Sequence, residues 1–402
     1  MTETVEQAAP LPTARSHAFD PPDGLRPLQR HRPISRLAYP DGSVGWLVTR
    51  LSTARTVLTD PRFSARQDLK RMPVAAGIGD EQMRPPSPGM FVSMDPPDHT
   101  RYRRLLAGQF TAKRMRQLGP RIEQVVRERL EAMERLGPVV DLVQVWAFPI
   151  PQLVICEILG VPFAERERFQ HDTEIIVTLD STAQQVAEAH ARVGMFMQEL
   201  ITAKRARPTD DLLSGLAIGG QLTDEELTTI ASLLLFAGFE TTAQMLALGV
   251  FALLQHPTQA QALRDDDALV DNAVEELMRY LSVIQFGLVR AATEDLELDG
   301  VQIRAGEVVT CSVPMVNRDP AQFPDPDVLD LHRSATGHIG FGYGLHQCLG
   351  AQLARMEMRT AYPKLLRRFP TLRLAVPVDQ VPMRDGMTVY GVHSLPVTWG
   401  PH

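Results

Sequence analysis

The segment Phe341-Gly342-Tyr343-Gly344-Leu345-His346-Gln347-Cys348-Leu349-Gly350 decides how this chain is read. It is a glycine-loosened loop that delivers a thiol to the start of a helix, since Gly350 to Arg368 carries a mostly amphipathic pattern. A cysteine just before a helix N-terminus feels the positive end of the helix dipole and free backbone N–H groups. Both lower its pKa and favour an anionic sulfur. Gly342, Gly344 and Gly350 let the backbone curl around that sulfur and let a large flat ligand approach. Haem iron held by one cysteine thiolate fits this arrangement, because the thiolate pushes electron density toward O–O cleavage. The plainer alternative is a small buried hydrophobe, which is what most lone intracellular cysteines are. Cys156 and Cys311 lie in apolar runs and keep that alternative.

Working outward, the 402 residues are 44% hydrophobic and 22% charged, the composition of a globular protein. Three cysteines without paired spacing exclude a disulfide scaffold and point to a reducing, cytoplasmic compartment. A net charge of -7 argues against general nucleic-acid binding. No apolar run occurs from Met1 to Asp20, so no signal peptide or N-terminal anchor is expected. Ile230 to Leu254 is long enough to cross a bilayer, but Glu240, Thr241, Thr242 and Gln244 sit at its middle, where a charge in lipid is costly. A central buried helix is the better reading, started by the capping box Thr223-Asp224-Glu225-Glu226.

Residues 1–40 are Pro-rich and read as irregular, and a hairpin is expected around Asp41-Gly42 and Gly45 to Val48. Leu51 to Leu58 reads as a helix. Residues 69–91, dense in proline and glycine, read as a long loop. From Asp98 to Thr202 the pattern is helical, with breaks expected at Gly119-Pro120, Gly137-Pro138 and Gly160-Val161-Pro162. A helix follows near Leu269 to Tyr280, then short strands from Leu288 to Val313, an aperiodic stretch over 317–340, and strands near Thr388 to Thr398. The sum is a mainly α chain with a minor β part in a single domain spanning 1–402.

In Ala237-Gly238-Phe239-Glu240-Thr241-Thr242, a mid-helix glycine costs about 1 kcal/mol relative to alanine. A buried Glu beside two Thr costs more unless it is used. Ala237 and Gly238 are small enough for a flat macrocycle to lie against the helix. Thr241 and Glu240 then form a proton-delivery pair, or else a polar kink packed internally.

The ten-residue segment resembles the haem-binding loop of the cytochrome P-450 superfamily, Phe-x-x-Gly-x-x-x-Cys-x-Gly, and matches it completely. The Ala-Gly-x-Glu-Thr run resembles that family's central-helix motif. The resemblance covers roughly Leu47 to the C-terminus and implies a triangular helical prism, with haem between the long central helix and the helix after the cysteine. By this resemblance Cys348 is the ligand to the iron of haem b. Ala237, Gly238, Phe341, Gly342 and Gly350 flank the macrocycle. His99, Arg103, Arg290 and His346 hold the propionates, and Thr241 with Glu240 handles protons above O2. Glu276-x-x-Arg279, alone no more than a common helix-surface pair, implies a buried structural cluster with Arg333. The basic run Arg101, Arg103, Arg104, Lys113, Arg114, Arg116 and Arg121 contains no acid. It is either a solvated helix face or the docking surface for an acidic iron–sulfur ferredoxin that relays electrons from an NAD(P)H-dependent reductase.

Substrate-facing candidates from the family layout are Met72, Met83, Met90, Phe91, Val92, Leu233, Phe236, Ile284, Phe286 and Val389. All are apolar and imply an apolar, fairly large substrate, though each also suits a plain core position. The implied activity is a monooxygenase that hydroxylates or epoxidises a small molecule in natural-product tailoring, such as a polyketide or macrolide. Oxidative coupling or ring closure at the same haem is an alternative, as is haem binding without turnover. Tyr362-Pro363 departs from the family pattern and predicts a kink or break in the last helix.

Overall fold

The computed structural model describes residues 8–75, 84–110, 112–162, 165 and 167–400. In chain order the elements are α1 (Leu25–His31), β1 (Ile34–Ala38), β2 (Val44–Val48), α2 (Leu51–Thr59), β3 (Phe63–Ser64), α3 (Asp98–Ala107), α4 (Ala112–Leu136) and β4 (Val139–Asp141). Next come α5 (Pro149–Leu159), α6 (Glu167–Val177), α7 (Ala183–Ala206), α8 (Leu212–Ile218), α9 (Asp224–Gln255), α10 (Pro257–Asp265) and α11 (Val270–Leu281). The chain closes with β5 (Leu288–Ala292), β6 (Leu296–Leu298), β7 (Val301–Ile303), β8 (Val308–Cys311), α12 (Val313–Val316), α13 (Ala351–Arg368), β9 (Arg373–Leu374) and β10 (Pro396–Thr398).

The helical part is organised around α9. Thr223 accepts from the Glu226 N–H at 3.2 Å, and Glu226 accepts from the Thr223 N–H at 2.7 Å, so both ends of the capping box are closed. Beyond this start the helix is apolar on nearly every side. It is long and apolar enough to cross a membrane, yet α5, α7, α11 and α13 pack around it and most of its residues are buried in protein.

The minor β part is a five-stranded sheet in the order β1-β2-β8-β5-β3, antiparallel except for the parallel β2/β8 pair. Two further antiparallel sheets are β4-β10-β9 and β6-β7. The β1–β2 turn is set locally: Asp41 Oδ1 accepts from the Ser43 N–H at 2.9 Å, and Gly42 sits at φ +84°.

Three sequence expectations need correction. The segment 1–40 is not irregular throughout, because Leu25–His31 is helical and Ile34–Ala38 pairs with Val44–Val48 as the first strand of the hairpin. Gly119-Pro120 does not break α4. Pro120 and Arg116 are exposed, so water can satisfy the Arg116 carbonyl that the proline leaves without an N–H. Nor does Pro363 break α13. The flanking Tyr362, Leu365 and Leu366 are buried, and Tyr362 Oη donates to the Met245 carbonyl at 2.6 Å, which anchors that turn to α9.

Candidate active site

A cavity of about 970 Å³ lies between α9 and the loop that leads into α13. Cys348 of the loop and Ala237, Gly238, Thr241 and Thr242 of α9 line it. The cysteine loop is held by its own backbone: the Cys348 N–H donates to Phe341 O at 2.8 Å and Gly342 N–H to Ile339 O at 2.9 Å. Gly342 and Gly344 sit at φ +72° and +73°. A Cβ on Gly344 would also stand 2.5 Å from the Leu58 carbonyl oxygen, so this glycine seats the loop on α2. Arg355 lies over the Phe341 ring at 4.3 Å and is clamped by Glu275 at 2.6 and 2.9 Å.

The Cys348 thiol differs from its sequence expectation. It is exposed to the cavity yet enclosed by protein, and that burial pushes its pKa up. The Gly350 backbone and the charges of Arg103 and Arg355 pull it part of the way back.

One part of the cavity wall carries basic side chains. His346 and Arg290 line it, and the ring of the buried His99 lies tilted at 45° against that of His346 with centroids 4.2 Å apart. Both ring nitrogens of His99 are buried without a hydrogen-bond partner. Arg290 is buried, which pushes its pKa down, and it makes no ion pair among the described residues. Burial, reinforced by Arg290, pushes His346 down to about 3. Arg103 reaches the cysteine loop and donates to Gln347 O at 2.5 Å. Lys70, which the sequence reading passed over, lines the same cavity.

On α9, the Thr241 hydroxyl faces the cavity and donates back to Ala237 O at 3.2 Å. Glu240 does not line the cavity. It is buried at the back of the helix, where its carboxylate accepts from Arg384 Nη2 at 2.5 Å. Burial pushes its pKa up and Arg384 pulls it down. Gly238 lines the cavity, but a Cβ there would meet Ile155 Cδ1 at 2.6 Å, so its smallness also serves the α5–α9 contact. Glu357 of α13 also lines the cavity. It is fully buried with Oε2 unpartnered, and desolvation pushes its pKa well up.

Behind the loop, Arg279 grips Glu276 through two hydrogen bonds, Nε to Oε2 at 2.7 Å and Nη2 to Oε1 at 2.8 Å, with both side chains wholly buried. Arg333 Nε adds a third at 3.2 Å, and Arg279 Nη1 ties the carbonyls of Asn317 and Pro326.

The substrate-facing expectations divide. Met72, Met90, Val92 and Ile284 line the cavity. Phe91, Phe286 and Val389 are buried in the hydrophobic core instead, and Leu233 and Phe236 pack against that core. Apart from Met245, the residues that α9 turns to the cavity are polar or small (Thr228, Thr229, Ser232, Ala237, Thr241), so choosing Leu233 and Phe236 selected residues packed on the core. Met83 lies outside the described residues. In the basic run, Arg101 is not a free cation, since it pairs with Glu226 at 2.6 Å, and Arg121 pairs with Glu157. Arg104 and Arg116 are exposed without an ion pair among the described residues; Arg114 bonds Gln109, and the Lys113 side chain is outside the description.

A cysteine thiol and a threonine hydroxyl lining one cavity, with Arg290 beside them making no ion pair among the described residues, agree with the comparisons. The cytochrome P450 family profile matches residues 167–398. The chain belongs to the cytochrome P450 family. Cytochrome P450 105C1 of a Streptomyces species is 50% identical over 98% of this chain and 100% of its own length. The pentalenic acid synthase of Streptomyces avermitilis is 43% identical over 99% and 100%. The crystal structure of CYP105P1 in complex with filipin I superposes with a TM-score of 0.93, at 40% identity, covering 98% of this chain and 100% of that one. The fold is the cytochrome P450 fold, and the chain is a monooxygenase of the haem-thiolate, O2-using kind. P450 chemistry needs a small-molecule substrate and redox partners. The orphaned nitrogens of His99 and the unpaired Arg290 fit a haem, whose two propionates would supply the missing acceptors and charge.

Proposed function

We propose that Cys348 holds haem b and that this P450 inserts one atom of O2 into a largely apolar organic molecule, by hydroxylation or epoxidation, in natural-product tailoring. The observation that carries the reading is that Cys348 and Thr241, 107 positions apart in the chain, line one and the same cavity. Bound haem supplies the O2-activating, electron-accepting centre. Arg290, His99 and His346 would take its carboxylates, and Arg103 braces the loop at Gln347. We read the whole chain as one such domain.

The remaining work falls to the protein. Thr241 Oγ1 carries the proton nearest the reacting space and can swing it from the Ala237 carbonyl into the cavity. Glu240, one residue before Thr241 but turned away from the cavity, exchanges protons only after parting from Arg384, so the Glu240–Arg384 pair gates resupply. Met90, Val92, Ile284, Leu288 and Val289 exclude water and hold the apolar part of the substrate. The pentalenic acid synthase and the filipin-bound structure among the relatives support a natural-product substrate. Electrons come from a reductase-fed ferredoxin that docks at Arg104 and Arg116, with Lys113 and Arg114 beside them, and the enzyme works in the cytoplasm.

The test is the absorption spectrum of the reduced, CO-bound protein, followed by turnover of Thr241→Ala. Thiolate ligation gives the long-wavelength Soret band. Thr241→Ala then consumes NAD(P)H without matching product. An ordinary short-wavelength band refutes Cys348 as the ligand, and unchanged coupling refutes the role of Thr241.

A further inference from the structure

Lys70 follows the 3-10 turn Gln67–Leu69 and lines the cavity beside Arg290 and His346. Its ammonium makes no hydrogen bond or ion pair among the described residues. The acid that acts on it is Asp95, and both Asp95 oxygens are already engaged, one by the Ser64 hydroxyl and one by the Ala65 N–H. Burial, with Arg290 next in weight, pushes the lysine down to about 8. A cation enclosed beside a second cation, with no acid free to answer it, is costly until an anion arrives. Glu357, the acid on the cavity floor, cannot serve, because its own burial favours the neutral form.

We propose that Lys70 is a carboxylate-binding residue of this cavity, closing its ammonium on an acid carried by the molecule that fills the space beside Arg290. That carboxylate has two possible sources, a haem propionate or an acid group on the organic substrate. The inference rests on the haem-thiolate reading above.

The experiment uses the full-length, haem-loaded protein and Lys70→Met, with Lys70→Arg as the charge-keeping variant and Lys70→Gln as a second neutral one should Met fail to fold. The CO-bound spectrum of the parent comes first, and its failure sinks the haem-thiolate reading without touching Lys70. Haem transfer from the substrate-free protein to apomyoglobin is measured next. A propionate partner predicts transfer about tenfold faster or more in Lys70→Met, the effect of one charged hydrogen bond, with Lys70→Arg near the parent. Spin-state titration with dodecanoic acid and its methyl ester reads the other source. A substrate-acid partner predicts that the neutral variant loses the preference for the acid while haem transfer stays unchanged. Parent-like haem transfer together with a parent-like acid-to-ester ratio in the neutral variants overturns the proposal, as does a change that Lys70→Arg shares equally.

Discussion

Arg384→Met isolates the charge that pulls the raised pKa of the buried Glu240 back down. Glu240 is 2% exposed, and its one strong partner is Arg384 at 2.5 Å. Losing the arginine leaves a buried carboxylate that is cheaper to protonate than to keep charged. The loss is therefore capped by the work of protonating a glutamate whose unfolded pKa is about 4.3. That is about 3.7 kcal/mol at pH 7 and about 1 kcal/mol at pH 5, at 1.36 kcal/mol per unit. The sign follows from the direction of the shift. The folded pKa rises above the unfolded one, so stability is full below about pH 4 and is lost as pH increases. Urea unfolding of the haem-loaded protein at both pH values, followed by far-UV circular dichroism, measures this. Glu240→Gln/Arg384→Met removes the titrating group, so most of the pH 7 loss should return. Equal losses at pH 5 and 7, or a double variant as weak as Arg384→Met at pH 7, would show that packing rather than charge sets the cost.

Glu276→Gln leaves Arg279 buried without a counter-ion and should cost about 3–5 kcal/mol, with early loss of the thiolate-type CO spectrum on heating; a thermal midpoint within a degree of the parent refutes it. Gly249→Ala in α9 drives a Cβ into the Tyr362 ring, so overpacking of about 1–3 kcal/mol should exceed the gain of about 1 kcal/mol in helix propensity. Gly194→Ala in α7, where a Cβ meets nothing within 4 Å, should instead stabilise by up to about 1 kcal/mol, and paired urea midpoints check both. Glu357→Gln should gain on the parent as pH rises from 5 to 8, because the raised folded pKa makes the parent lose stability over that window; a gap that does not move with pH contradicts the neutral carboxyl.

The parts of this fold that were legible in the sequence are those written in local order. The capping box at Thr223 and the long apolar run gave α9, and the Asp41-Gly42 turn marked the hairpin. What escaped depends on distant partners. Ile34–Ala38 is a strand because Val44–Val48 is itself joined to β8 of residues 308–311 and so offers a fixed edge. Pro120 and Pro363 read as breaks because proline removes one backbone donor. In α4 water can replace that donor, and in α13 the buried Tyr362, Leu365 and Leu366 outweigh its loss.

The site divides along the same line. Cys348 stands out in its local glycine-rich frame, whereas His99 with Arg103 and Glu276 with Arg279 are ordinary helix-surface spacings that only the resemblance to the P450 motifs singled out. Arg384 comes from a loop 144 residues beyond Glu240 and carries no local mark. Lys70 sits in a polar loop whose sequence resembles any solvated turn, and only the fold turns it inward to face Arg290. Substrate contacts failed for a related reason. Hydrophobicity reports burial, and on α9 the most buried face is the one packed on α5 and α7, whereas the cavity takes the threonines and small residues. A cavity meant to be filled by another molecule leaves less apolar surface in the chain's own pattern than the core does. Polar or small residues interrupting an apolar helix are therefore a better guide to such a wall than its leucines and phenylalanines.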